Sequence, residues 1–104
     1  ANAVKDAMEG KLRVAFVPVG DGEIELLQPV DSSTTFSRFL QTYGQGIHHI
    51  SLTTDDIESE IERMKREGVT FTDQRPKRGA HGVRIIFTNS ETTAGVTFEL
   101  CEER

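Results

Sequence analysis

The sequence predicts a small α+β domain. Three observations carry that reading: a glycine-turned pair of apolar strands before residue 30, an amphipathic helix over 55–67, and two strands that close the chain. The hairpin comes first. Residues 12–19 (LRVAFVPV) are apolar with partial alternation, and Pro18 suggests an edge or a bulge near the strand's end. Gly20-Asp21-Gly22 supplies turn chemistry, and 23–28 (EIELLQ) is the return strand, with Ile24 and Leu26 on one face and Glu23, Glu25 and Leu27 on the other. Residues 1–10 read as a helical turn or an irregular lead-in.

Phe36, Phe39, Leu40 and Tyr43 recur at helical spacing, which predicts a short amphipathic helix capped by a Ser or Thr among 32–35 and closed by Gly44. A strand with two histidines follows, GIHHISLT. Alternation would place Ile47, His49 and Ser51 on one face and His48, Ile50 and Leu52 on the other, so the two histidines should point apart. Asp55 with Glu58 resembles a capping box, Ile57, Ile61 and Met64 form a buried stripe, and Gly68 stops the helix. Val69–Thr72 is expected as a short strand, 73–82 as a polar loop, 83–88 (VRIIFT) as a strand, 89–95 as a turn, and 96–101 (VTFELC) as the last strand. In that last strand Val96, Phe98 and Leu100 alternate against Thr97, Glu99 and Cys101.

Composition narrows the function classes. A chain of 104 residues with a net charge of −5 is one domain or part of one, and is a poor partner for nucleic acid or an anionic membrane. Cys101 is the only cysteine, so no intrachain disulfide can form, and a reducing, cytoplasmic setting is expected. No apolar run approaches the roughly 20 residues of a membrane span. The start lacks both a methionine and the apolar core of a signal peptide, which suggests a processed or partial chain. A modest core at this size would gain from association with a second copy, so a homodimer is expected.

Glu25 and Glu99 each sit inside an apolar strand pattern. Facing a core, such a carboxylate is costly unless compensated, and a metal ion shared with a strand histidine would compensate both. On one-sided strands the same glutamates would simply be solvated. Residues 25, 49 and 99 form no local metal motif, so pattern alone stops at an α+β domain with a possible metal site.

Three stretches say more when taken together: VAFVPVGDGEIELLQP (14–29), GIHHISLTTDDIE (46–58) and GAHGVRIIFTNSETTAGVTFEL (79–100). In this order they resemble the methylmalonyl-CoA epimerases of the vicinal oxygen chelate superfamily, which includes the glyoxalase and bleomycin-resistance proteins. The resemblance implies paired βαβββ modules around a metal. Residues 1–45 would then be the end of a first, incomplete module plus a connecting helix, and residues 46–104 a complete second module. It also implies that Glu25, His49 and Glu99 ligate a divalent ion (Co, Mn, Ni, Zn or Mg) and that Glu99 doubles as the catalytic base. Arg78, Ala80, His81 and Gly82 would contact an acyl-CoA substrate. Arg75, Lys77, Arg78 and Arg84 surround the same loop and could meet the phosphates of coenzyme A, whereas a charged loop is more often simply solvated.

The implied reaction interconverts (R)- and (S)-methylmalonyl-CoA through α-proton abstraction and a metal-stabilised enolate. A glyoxalase I-like lyase and a metal-free binding module of the bleomycin-resistance kind are the rival readings. This chain departs from the family pattern in three places. The opening strand and helix with an Asp-His motif are absent, which would leave the fourth ligand to another chain or to water. No second acid–base carboxylate lies within 12–19, and the usual His-Pro-Lys turn reads Thr88-Asn89-Ser90.

Overall fold

The structure is a computed structural model and describes residues 4–79 and 82–103. It divides into two compact units, residues 1–46 and 47–104.

The first unit is a three-stranded antiparallel sheet in the order β1-β2-β3, with β1 at Lys5–Ala7, β2 at Leu12–Val19 and β3 at Gly22–Pro29, followed by helix α1 at Thr35–Tyr43. The expectation of a helical or irregular lead-in is corrected by β1. Its three residues have no strand pattern of their own and are held by pairing with Val14, Arg13 and Leu12. The β2–β3 hairpin is as predicted. Val19 faces Gly22 across a two-residue turn in which Gly20 takes a positive φ of 57°. Pro18 pairs only towards β3, since β1 reaches no further than Val14, so its missing N–H costs no ladder bond on the open side. Thr34 caps α1 by accepting the Ser37 N–H at 3.1 Å, and Gly44, at φ 78°, donates its N–H to the Leu40 carbonyl.

The second unit is a four-stranded sheet in the order β4-β7-β6-β5, made of β4 (Ile50–Thr54), β5 (Lys77–Arg78), β6 (Arg84–Phe87) and β7 (Phe98–Glu102), with helix α2 (Ile57–Arg66) between β4 and β5. The β4–β7 pair is parallel and the others antiparallel. Ile57 and Ile61 of α2 pack with Ile86 and Leu100 of the sheet as the buried core, with Met64 and Phe71 against them. Register partners point to the same side, so Leu52, Ile86 and Leu100 share one face; α2 covers Ile86 and Leu100 there and leaves Leu52 exposed. The opposite face, free of α2, carries Ser51, Phe87 and Glu99 in register, then Ile85 and Cys101.

Three expectations are corrected in this unit. The α2 cap is Asp56, which accepts the Ser59 N–H at 3.1 Å, and not Asp55; the Thr54 hydroxyl accepts the Asp56 N–H, so the chain turns one residue later. Val69–Thr72 is not a full strand. It makes one bridge, Phe71 to Thr88, and the strand proper is the Lys77–Arg78 pair inside the expected polar loop, beyond Pro76. The histidines precede β4, whose pairing starts at Ile50, and strand alternation does not govern them.

Candidate functional site

His49 and Glu99, 50 residues apart in sequence, come together on the helix-free face of the second unit, with His49 Nε2 at 3.8 Å from Glu99 Oε1. Each follows from local structure. Glu99 is the second residue of β7 and alternates away from Leu100, which is in the core. His49 ends the irregular lead into β4 and sets its ring edge-on to Phe87, with centroids 5.4 Å apart and an interplanar angle of 88°. Both side chains are largely covered, at 21% and 16% exposure, but remain reachable.

His48 does not point away from its neighbour. The two Nδ1 atoms lie 2.9 Å apart, so one ring must donate and the other accept. Burial, then the nearby His49, holds His48 below the usual imidazole range. With its Nδ1 engaged, His49 turns Nε2 towards Glu99.

Two residues outside the expected site complete this cluster. Ser51 donates to Glu99 Oε1 at 2.8 Å, and the Cys101 thiol lies 3.3 Å from the same oxygen and 3.2 Å from Ser51 Oγ. Burial, with Glu99 nearby, raises the Cys101 pKa, so the group stands as a neutral thiol.

Glu25 lies in the first unit, in mid-β3 opposite Phe16, and is exposed. Arg78 is in β5 and donates to the Gly82 carbonyl, and Gly82 takes a positive φ of 75°. Ala80 and His81 lie outside the described residues. Arg84 does not belong to an open cationic loop: it is part of β6, paired to Glu58 of α2 and to Glu102 of β7. Lys77 lies 3.6 Å from Asp73.

The donor set fits a divalent ion in kind, since an imidazole nitrogen and a carboxylate oxygen converge on one accessible face. Among the described residues, no group of three His, Cys, Asp or Glu side chains is gathered to hold an ion. Among them too, no helix is long and apolar enough to cross a membrane.

Residues 4–87 match the model of the Glyoxalase/Bleomycin resistance protein/Dioxygenase superfamily, and the chain belongs to that superfamily. Among the described residues, two α-helices and two sheets match the vicinal oxygen chelate fold. The chain is 33% identical over 96 residues to the uncharacterized protein YqjC of Bacillus subtilis, covering 92% of this chain and 69% of that one. It is 35% identical over 97 residues to the mitochondrial methylmalonyl-CoA epimerase of Dictyostelium discoideum, covering 92% of this chain but only 58% of that enzyme. The crystal structure of methylmalonyl-CoA epimerase from Mycobacterium tuberculosis superposes with a TM-score of 0.75 at 26% identity, covering 99% of this chain and 70% of that one.

Proposed function

We propose that this chain acts in a metal-dependent epimerase that interconverts (R)- and (S)-methylmalonyl-CoA. The observation that carries the reading is the approach of His49 Nε2 to Glu99 Oε1 on an accessible sheet face, in a chain similar to enzymes of that name. His49 and Glu99 would hold the ion, with Glu25 as the third ligand that the resemblance of residues 14–29 implies. When bound, a divalent ion supplies a Lewis acid that stabilises charge on the thioester and carboxylate oxygens of the substrate.

Glu99 takes the proton from the carbon between the two carbonyls. The C–H electron pair moves into the thioester carbonyl; a separate donor, a second acid or a water, then delivers a proton to the opposite face as the pair returns to carbon, and Glu99 gives its own proton to solvent. Without stabilisation a carboxylate could not ionise so weak a carbon acid, as each unit of pKa mismatch costs about 1.4 kcal/mol.

Arg78, Ala80, His81 and Gly82 are proposed to contact the acyl-CoA. Arg78 already binds the loop through the Gly82 carbonyl, which would hold that turn in shape. A homodimer in a cytoplasmic setting fits the exposed Ile24 and Leu26 of β3, each 53% accessible, and the single free thiol. Sedimentation at micromolar concentration should show the dimer; a stable monomer would remove it from the reading.

The deciding experiment follows loss of the α proton of methylmalonyl-CoA in D2O, with Co²⁺, Mn²⁺, Ni²⁺, Zn²⁺ or Mg²⁺ added and after chelation. Exchange that needs metal supports the epimerase. Turnover of a glutathione hemithioacetal without exchange would replace it with a glyoxalase I-like lyase. Ligand binding with neither reaction would replace it with a binding module.

A further inference from the structure

The two carboxylate oxygens of Glu99 have different surroundings. Oε1 receives the Ser51 hydroxyl at 2.8 Å and lies 3.3 Å from the Cys101 thiol, with His49 Nε2 at 3.8 Å. Among the described residues no hydrogen bond engages Oε2. The arrangement follows from strand register. Ser51 is the direct partner of Glu99 across the parallel β4–β7 pair, and Cys101 is two residues along the same face of β7. The Glu99 side chain therefore folds back along the sheet, and its carboxylate settles between a short hydroxyl and a short thiol.

We propose that Ser51, supported by Cys101, is a positioning residue for Glu99. The two neutral donors pin Oε1 and leave Oε2 as the oxygen that meets the substrate's α carbon. The proposal rests on the epimerase reading for the identity of the reaction, and on the geometry of β4 and β7 for the identity of the residues. Its physical basis is orientation. A glutamate has several rotatable bonds, and a proton transfer between atoms about 3 Å apart is lost when the carboxylate samples other rotamers. A hydrogen bond to an ionised oxygen is among the stronger that a neutral donor can make, so one hydroxyl is enough to select a rotamer. Serine and cysteine suit the task because both are short, uncharged donors. A lysine or arginine at either position would compete with a cation for the carboxylate.

The test uses the full chain and five variants: Ser51→Ala, Ser51→Thr, Cys101→Val, Cys101→Ser and the double variant Ser51→Ala/Cys101→Val. Proton exchange from methylmalonyl-CoA gives kcat and KM. Calorimetric titration with Mn²⁺ or Co²⁺ gives an affinity that does not depend on turnover, and thermal midpoints report folding. Ser51→Ala should lower kcat about 10-fold with little change in KM, and should weaken metal binding about as much, as expected for a partner of a liganding side chain. Ser51→Thr and Cys101→Ser keep a donor in place and should recover most of the lost function. Because both donors act on one oxygen, the double variant should lose more than the product of the single losses.

Unchanged kcat and metal affinity in a folded double variant would overturn the positioning role while leaving the epimerase intact. Losses in Ser51→Ala that Ser51→Thr fails to recover would also overturn it, since they would mark a packing effect. A wild-type chain that binds metal without exchanging the proton defeats the epimerase reading alone, and the positioning role is then decided by the affinities. A wild-type chain that does neither defeats both.

Discussion

Arg84 of β6 grips Glu58 in the first turn of α2 while its backbone N–H and its Nε both reach the carboxylate of Glu102 in β7. One side chain thus joins the helix to two adjacent strands beside the core. The Arg84 guanidinium lowers the pKa of Glu58, and the Arg84 backbone N–H, then its side chain, lowers that of Glu102. Both carboxyls are depressed on folding, so their contribution is fully present above the unfolded glutamate pKa and is lost as pH falls through the folded values. Melting curves from pH 7 down to pH 3 should therefore show stability falling below about pH 4.5. Arg84→Ala should be less stable at pH 7 and should show a shallower acid slope. An unchanged slope would mean that solvent already screens these exposed pairs.

The start of α2 gives a sharper test. Asp56, and not Asp55, accepts the Ser59 N–H. Asp56→Ala should cost about 0.5–2 kcal/mol in chemical denaturation, because an orphan donor of the first turn loses its partner. Asp55→Ala should fall within about 0.5 kcal/mol of the wild type. Equal losses would show that charge near the helix end matters here, and not the capping bond.

Much of this chain was legible in its sequence, and what was missed has a common physical cause. Gly20-Asp21 marked the hairpin, and the Phe36–Tyr43 periodicity marked α1, because each signal lies within the residues that fold. Lys5–Ala7 and Lys77–Arg78 carry no strand pattern. They are strands because Leu12–Val14 and Arg84–Ile85 offer them a ladder, which is information held elsewhere in the chain. The candidate site divides the same way. Alternation alone paired His49 with Ser51 and Glu99 with Cys101. That Ser51 lies opposite Glu99 depends on a parallel register between residues 48 apart, which no local pattern encodes. The histidine pair was misread for a related reason: period-two alternation applies only where a ladder holds the backbone extended, and the ladder begins at Ile50.

The core of the second unit is small and should be intolerant of truncation. Ile86 is 1% exposed and packs in one cluster with Ile57 and Ile61 of α2 and Leu100 of β7. Ile86→Ala should cost about 2–5 kcal/mol, combining lost burial with a cavity that the flanking strands cannot collapse into. The same change at exposed Ile47, which lies outside the core, should cost about 0.5 kcal/mol or less. Urea midpoints of the two variants check the contrast, and a comparable loss at Ile47 would reveal a packing partner for it.

Glu99→Gln probes the proposed base most directly. Glutamine keeps the shape of glutamate and an oxygen that Ser51 can still reach, but its amide takes up no proton at neutral pH. If Glu99 removes the α proton, exchange from methylmalonyl-CoA should fall by about 100-fold or more, in line with the loss of a positioned general base. Binding of the thioester should fall far less than exchange, because its coenzyme A portion has no proposed contact with Glu99, although the ion that Glu99 helps to hold meets the acyl end. The ratio of the two effects is the measurement: exchange rate by NMR in D2O against substrate affinity by calorimetry on the same preparation. A large fall in exchange with affinity preserved places Glu99 at the chemical step. Equal losses in both would mean that the residue holds the substrate or the ion without moving the proton. Exchange within about 10-fold of the wild type would be smaller than a general base contributes, and the base would then have to be sought on another strand.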